Sequence, residues 1–168
     1  AMLAAVQAGY QAALMAPTEI LAEQHFLTIC NLLSETELEA DGKYVVTLNV
    51  AGIEESVVIG LLLGSHRKRV KDDIYAMLGA GAIDIIIGTH ALIQSPVDIP
   101  KLALVVVDEQ HRFGVQQRLA LREKGRFDTR HGIQVPHQLV LTATPIPRTL
   151  AMSVYGDLDT SVIDEMPP

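Results

Sequence analysis

The chain has 168 residues, enough for one domain with a full hydrophobic core. Apolar residues make up 49% and aromatic residues only 4%, without tryptophan, which describes a core of Val, Ile, Leu and Ala and leaves little for stacking bases. The net charge of −7 argues against wholesale electrostatic capture of nucleic acid, although backbone N–H groups and helix N-termini hold phosphates without a basic surface.

The chain opens on AMLAAVQAGY, which reads as the tail of a helix with no capping residue before it. QAALMA (11–16) reads as a strand, followed by a helix, PTEILAEQHFLTICNLL, whose apolar face includes Ile20, Leu21, Phe26 and Ile29. His25 sits within that helix. The single cysteine, Cys30, lies beside Ile29 and Leu32 and reads as core rather than nucleophile. Residues 34–56 break the rhythm: an acidic start and an Asp-Gly turn precede alternation along Tyr44, Val46, Leu48 and Val50. That period of two predicts an added strand exposed on one face, an antiparallel excursion at a sheet edge.

VVIGLLLG (57–64) predicts the next strand, and SHRKRVKDDIYAMLGAG the next helix, with Ser65 as N-cap. The basic cluster at 65–69 reads as a solvated first turn, with contact to DNA as the alternative. AIDIIIG (82–88) predicts a strand leading into a helix at THALIQS. In LALVVVDE the apolar run from Ala103 to Val107 is too continuous for a half-wet strand and predicts one buried on both faces. A helix around VQQRLALREKG, stopped by Gly125, follows it. HQLVLTAT (137–144) predicts the last strand and PIPRTLAMSVYG the last helix. His131 and His137 flank a loop containing Pro136, and no metal-ligand spacing joins them to His111.

Alternating strands and helices predict an α/β domain with a mainly parallel sheet and right-handed crossovers. In such a sheet the strand ends Pro17-Thr18, Gly64-Ser65, Gly88-Thr89-His90, Asp108-Glu109 and Thr142-Ala143-Thr144 all lie along one edge, where open α/β sheets bind ligands. Gly, Ser and Thr at these places also serve as turn and cap residues. Caps do not explain adjacent acids after a buried strand.

An apolar strand ending in Asp-Glu is the Walker B arrangement of nucleotide-driven motors. One carboxylate holds a hard divalent ion, usually through water, and the next orients the attacking water. Here the pair stands in a wider pattern. Asp108-Glu109-Gln110-His111 followed by RFGVQQR, and then LTATPIPRTLAM, resembles motifs II and III of superfamily 2 helicases. APTEILAEQH (16–25) resembles motif Ia, and GTHALIQ (88–94) motif Ib. Within that superfamily the chain resembles the RecG-type DNA helicases through DEQHRFGVQQRLAL, IGTHALIQ and TATPIPRTLAMSVYGDLDTSVIDEMPP. The resemblance covers nearly the whole chain outside residues 34–56, where this sequence carries extra length. The transcription-repair coupling factor shares GTH and TATPIPRTL, but usually has Glu at the Gln110 position and lacks the SVIDE-PP ending.

This resemblance implies a three-layer RecA-like domain of the P-loop NTPase type, the first motor lobe of an ATP-dependent DNA helicase acting on branched or forked duplex. It implies ATP and Mg²⁺ as cofactors, with Asp108 positioning Mg²⁺-ATP and Glu109 as the catalytic carboxylate. Gln110 and His111 would couple the nucleotide site to Thr142, Ala143 and Thr144, and Pro17, Thr18, Gly88, Thr89 and His90 would touch the DNA backbone. Arg148 has a planar fork suited to phosphate or carboxylate pairing, with a surface ion pair as the alternative. Glu19 stands where many RNA helicases of the superfamily carry Arg, so that contact is absent.

The phosphate loop G-x-x-x-x-G-K-[ST] does not occur in the 168 residues. The helix without a beginning at Ala1 and the ending DEMPP suggest a piece of a longer protein. Residues 157–168 would lead toward a second motor lobe, and that lobe and an accessory DNA-binding domain would be partners within one monomeric protein. No apolar run approaches the roughly 20 residues that span a bilayer and no signal peptide opens the chain, and one cysteine fits a reducing cytoplasm. The rival readings are the motor lobe of a coupling factor and a non-catalytic α/β nucleic-acid-binding module. A G-x-S-x-G elbow, which an α/β hydrolase needs, is missing.

Overall fold

The structure, a computed structural model, describes residues 1–34, 44–94, 96–108, 127–129, 132–142 and 161. A six-stranded sheet forms its middle layer, in the order β2 (Val45–Leu48), β3 (Val57–Leu62), β4 (Ile85–Gly88), β1 (Gln11–Met15), β5 (Leu102–Asp108) and β8 (His137–Leu141). All neighbouring pairs are parallel except β2 and β3, which pair antiparallel at one edge. A separate antiparallel hairpin joins β6 (Phe127–Thr129) to β7 (Gly132–Gln134).

Strand alternation sorts the sheet's side chains into two cores. Ala12, Leu14, Ile59, Leu61, Ile85, Ile87 and Val106 face one side, where Ala22, Phe26 and Cys30 of α2 (Glu19–Leu33) cover them. Met2, Leu3 and Val6 of α1 (Met2–Gln7) pack against the same side. Ala13, Met15, Leu62, Ile86, Val105 and Val107 face the other, beneath Ile74 and Leu78 of α3 (Lys68–Gly79). Each Ile of β4 is buried, and full burial contributes roughly 1.5–3 kcal/mol per side chain, which is what holds so short a strand at the sheet's centre. Helix, sheet and helix make three layers.

Two helices end on the same device. After α3, Gly81 adopts φ 72°, its N–H reaches the Leu78 carbonyl, and the Ala82 N–H reaches the Met77 carbonyl. Gly9 (φ 79°) closes α1 in the same way, with the Val6 and Ala5 carbonyls as acceptors. Both satisfy orphan carbonyls through a left-handed residue that glycine adopts at no steric cost.

The sequence expectations need correction at four places. Ile20, expected on the apolar face of α2, is 69% exposed, and within the cluster expected to be a solvated first turn His66 is buried, ahead of a helix that starts only at Lys68. Ser65 is not the N-cap of α3: the helix starts at Lys68 with Arg67 at the cap, and no side chain caps it. The Ser65 N–H donates to the Glu19 carboxylate, a charge-assisted bond that ties the turn after β3 to the start of α2. THALIQS forms only a 3-10 turn over His90–Ile93. The helices expected around VQQRLALREKG and PIPRTLAMSVYG lie outside the described residues. Cys30 is buried on α2, and burial pushes its thiol up to about 11, so it is inert as a nucleophile. Among the described residues no helix is long and apolar enough to cross a membrane.

Candidate functional site

Because β3, β4, β1, β5 and β8 run parallel, their C-terminal ends share one edge. Strand order reverses at β1: β3 and β4 lie on one side of it, β5 and β8 on the other. Residues following β1 and ending β5 therefore meet at the crevice where α/β sheets take ligands.

Pro17 and Thr18 follow β1 and are half-buried. Thr18 has extended φ and ψ and caps α2, its Oγ1 accepting the Leu21 N–H at 3.3 Å. The next strand end is joined directly, through the Ala16 N–H to the Gly88 carbonyl at 2.8 Å. Gly88 is buried against β3, where a Cβ would collide with the Leu62 carbonyl oxygen. Thr89 is only 2% exposed and its Oγ1 has no partner among the described residues, whereas His90 is exposed. The edge thus offers His90 and the loop at Thr18 to solvent, and keeps Gly88 and Thr89 inside.

The loop after β3 is tied down from two sides. Glu19 Oε1 accepts the Ser65 N–H at 2.9 Å, and Lys71 Nζ donates to the Gly64 carbonyl at 3.0 Å. Bonds from the Ser65 side chain and backbone hold the Glu19 carboxyl below the usual carboxylate range. His66 is buried beneath this loop, its Nδ1 accepting the Leu63 N–H and its ring tilted 48° against Tyr44 at 4.2 Å. Burial pulls its pKa below the ordinary histidine value, so the ring is neutral. Glu23, Tyr44, Leu63, Ser65, His66 and Arg67 are among the residues lining a hollow of about 490 Å³ there.

Asp108 ends β5, level with Leu141 of β8 and one residue past the pair Met15–Val107. Alternation places it on the α2 side, after Leu104 and Val106. There His25 Nε2 meets Asp108 Oδ2 at 2.8 Å, the side chains being 32% and 19% exposed. A carboxylate only accepts, so the ring carries its proton on Nε2 in this contact. Thr142, just past β8, is exposed. Glu109, Gln110, His111, Ala143, Thr144 and Arg148 lie outside the described residues.

Strand ends 17–18, 88–90, 108 and 142 therefore form one contiguous row. Sequence reasoning gave His25 and Glu19 no part in this edge and read His66 within a solvated turn, whereas here His25 meets Asp108, Glu19 ties the Ser65 turn and His66 is buried beneath it. For His25 a signal existed, since Asp108 shares the parity of Leu104 and Val106, and His25 follows the buried Ala22 by three residues.

A doubly wound α/β domain whose edge gathers an acid-ended strand and a capped helix start is the architecture of nucleotide-driven motors. A family model described as DEAD/DEAH box helicase matches residues 1–153, and the chain belongs to that family, with its RecA-like fold. The chain is 48% identical over 167 residues to the ATP-dependent DNA helicase RecG of Streptococcus pneumoniae, covering 99% of this chain and 21% of that protein. To the RecG of Haemophilus influenzae it is 49% identical over 168 residues, covering 100% and 21%. A solved structure of RecG bound to a three-way DNA junction matches with a TM-score of 0.63 at 38% identity, covering 95% of this chain and 18% of that one. The chain thus spans about a fifth of the length of the curated relatives it matches.

Proposed function

We propose that the chain is most of the first RecA-like lobe of a RecG-type, ATP-dependent DNA helicase. The parent protein works in the cytoplasm as a monomer, remodelling branched or stalled-fork DNA by translocating on duplex. A second motor lobe and an accessory DNA-binding domain of the same protein complete it. The observation that carries this reading is an acid-ended buried strand at the switch point of the sheet, in a chain matched to RecG over 99% of its length.

In this reading Asp108 is the magnesium-side carboxylate. The donor fits: magnesium keeps several waters and needs only one or two carboxylate oxygens besides the phosphates, and Asp108 is a single hard donor partly open to solvent. Magnesium, when bound, neutralises charge on the nucleotide phosphates. Glu109 orients and polarises the attacking water, and Gln110 and His111 pass the state of that site to Thr142, Ala143, Thr144 and Arg148. Thr18 and His90, the reachable residues of the edge, contact the DNA backbone beside Pro17, and the buried Gly88 and Thr89 shape the loop that presents His90.

The 168 residues contain no phosphate loop, and alone they neither bind ATP tightly nor hydrolyse it. The test is ATP hydrolysis by the full-length gene product, with and without forked DNA, beside Glu109→Gln. DNA-stimulated turnover that falls by at least about 100-fold in the variant supports the reading. Turnover indifferent to the substitution removes Glu109 from the chemistry.

A further inference from the structure

We propose that His25 is a positioning residue for Asp108, fixing the carboxylate in the orientation that receives magnesium-nucleotide. This rests on the reading of Asp108 given above and adds a residue to it.

The contact bridges 83 positions in sequence, from the second turn of α2 to the last residue of β5. Two independent periodicities produce it. Alternation along β5 turns Asp108 toward the α2 layer, where Leu104 and Val106 already pack. Helical spacing puts His25 three residues after the buried Ala22 and four before Ile29, on the flank of the face that covers the sheet. Neither element is free to shift, because Ala22, Phe26 and Cys30 anchor α2 on the core.

An aspartate has few torsions, and its terminal one is broad and poorly fixed by packing. A hydrogen bond from His25 to Oδ2 fixes that torsion through one oxygen of the two. Partners of this kind, behind a metal-side carboxylate, set ligand orientation and typically change metal affinity by roughly 10–100-fold when removed. His25 touches neither substrate nor metal in this arrangement and acts only through Asp108. The same helix is capped by Thr18, seven residues or about 10 Å earlier, so the rod that holds the carboxylate also carries the proposed backbone contact at its N-terminal cap.

The experiment uses the full-length protein and measures equilibrium binding of a fluorescent, non-hydrolysable ATP analogue as magnesium is titrated. His25→Phe keeps a ring but loses the donor; His25→Gln keeps an N–H at comparable reach. The expected result is a magnesium midpoint raised roughly 10–100-fold by His25→Phe and nearly restored by His25→Gln, with thermal unfolding and binding to forked duplex unchanged. Equal midpoints in wild type and His25→Phe overturn the proposal. So do equal shifts in both variants, which would mark His25 as packing. If the Phe ring does not fit, His25→Ala serves in its place, since His25 is partly exposed. Asp108→Asn separates the two levels: if it leaves the midpoint unmoved, the assignment of Asp108 itself fails, and the inference about His25 falls with it.

Discussion

Glu19 Oε1 and the Ser65 N–H meet at 2.9 Å across 46 positions of sequence, fastening the start of α2 to the turn after β3. Hydrogen bonds from the Ser65 side chain, then its backbone, lower the Glu19 carboxyl most. The Gly64 backbone acts in the same direction, and burial opposes them. A carboxyl whose pKa is lowered by folding contributes stability above its unfolded value of about 4.3, and that contribution is lost as pH falls through the folded value. Glu19→Gln is therefore expected to lower the urea midpoint at pH 7, with the gap to wild type closing as pH drops below about 4.3. A gap that stays constant across that range would show that charge is not what fastens the turn.

His66, under the same turn, titrates in a different window. Burial lowers its pKa first, and Lys71 adds to that while Glu19 opposes it. The unfolded chain then takes up a proton near pH 6.5 that the folded chain refuses, so stability rises with pH through that region. Asn places an amide oxygen close to the Nδ1 acceptor and does not titrate. His66→Asn should flatten the stability curve between about pH 5 and 7. An unchanged slope would assign it to other groups.

The sheet is legible in the sequence because a strand buried on both faces rarely carries polar residues along its length: AALM, IIIG and LVVV leave little choice. The row of strand ends follows from parallel order alone. What resisted reading were pairings between distant segments. Ser65 is of a residue type favoured at an N-cap, yet its N–H is tied to a carboxylate on another helix and α3 starts only at Lys68. His25 is one polar residue within an amphipathic helix until β5 is set in register, and only then does it meet Asp108. The hairpin of β6 and β7 has strands of three residues, too short for any periodicity to register.

Gly88 and Gly79 make opposite predictions. A Cβ on Gly88 would run into the Leu62 carbonyl and lie 3.1 Å from Leu92 Cγ, and backbone between paired strands has nowhere to move. Gly88→Ala should cost about 1–3 kcal/mol. Gly79 closes α3 with nothing within 4 Å of its missing Cβ, so Gly79→Ala should gain about 0.5–1 kcal/mol from the smaller loss of backbone freedom. Chemical denaturation of both variants checks this. Gly88→Ala as stable as wild type would mean that β3 and β4 separate readily, leaving the strand-end row without its support.

At the opposite edge of the sheet, Gln11 is only 3% exposed and ties three segments together. Its Nε2 donates to the Ile83 carbonyl at 2.9 Å and to the Leu78 carbonyl at 3.2 Å, and its Oε1 accepts the Lys101 N–H at 3.1 Å. The end of α3, the approach to β4 and the approach to β5 are thus each tied to the start of β1. Gln11→Leu keeps the volume and strands the Lys101 N–H, for an expected loss of about 2–3 kcal/mol. Gln11→Glu should be worse at pH 7, since a carboxylate satisfies Lys101 but faces two carbonyl oxygens it cannot donate to. Protonation restores the missing donor, so the Glu variant should regain ground on the Leu variant as pH falls toward 5. Urea midpoints of the pair at both pH values decide the point, and a Glu variant equal to wild type at pH 7 would mean that the amide donates nothing there.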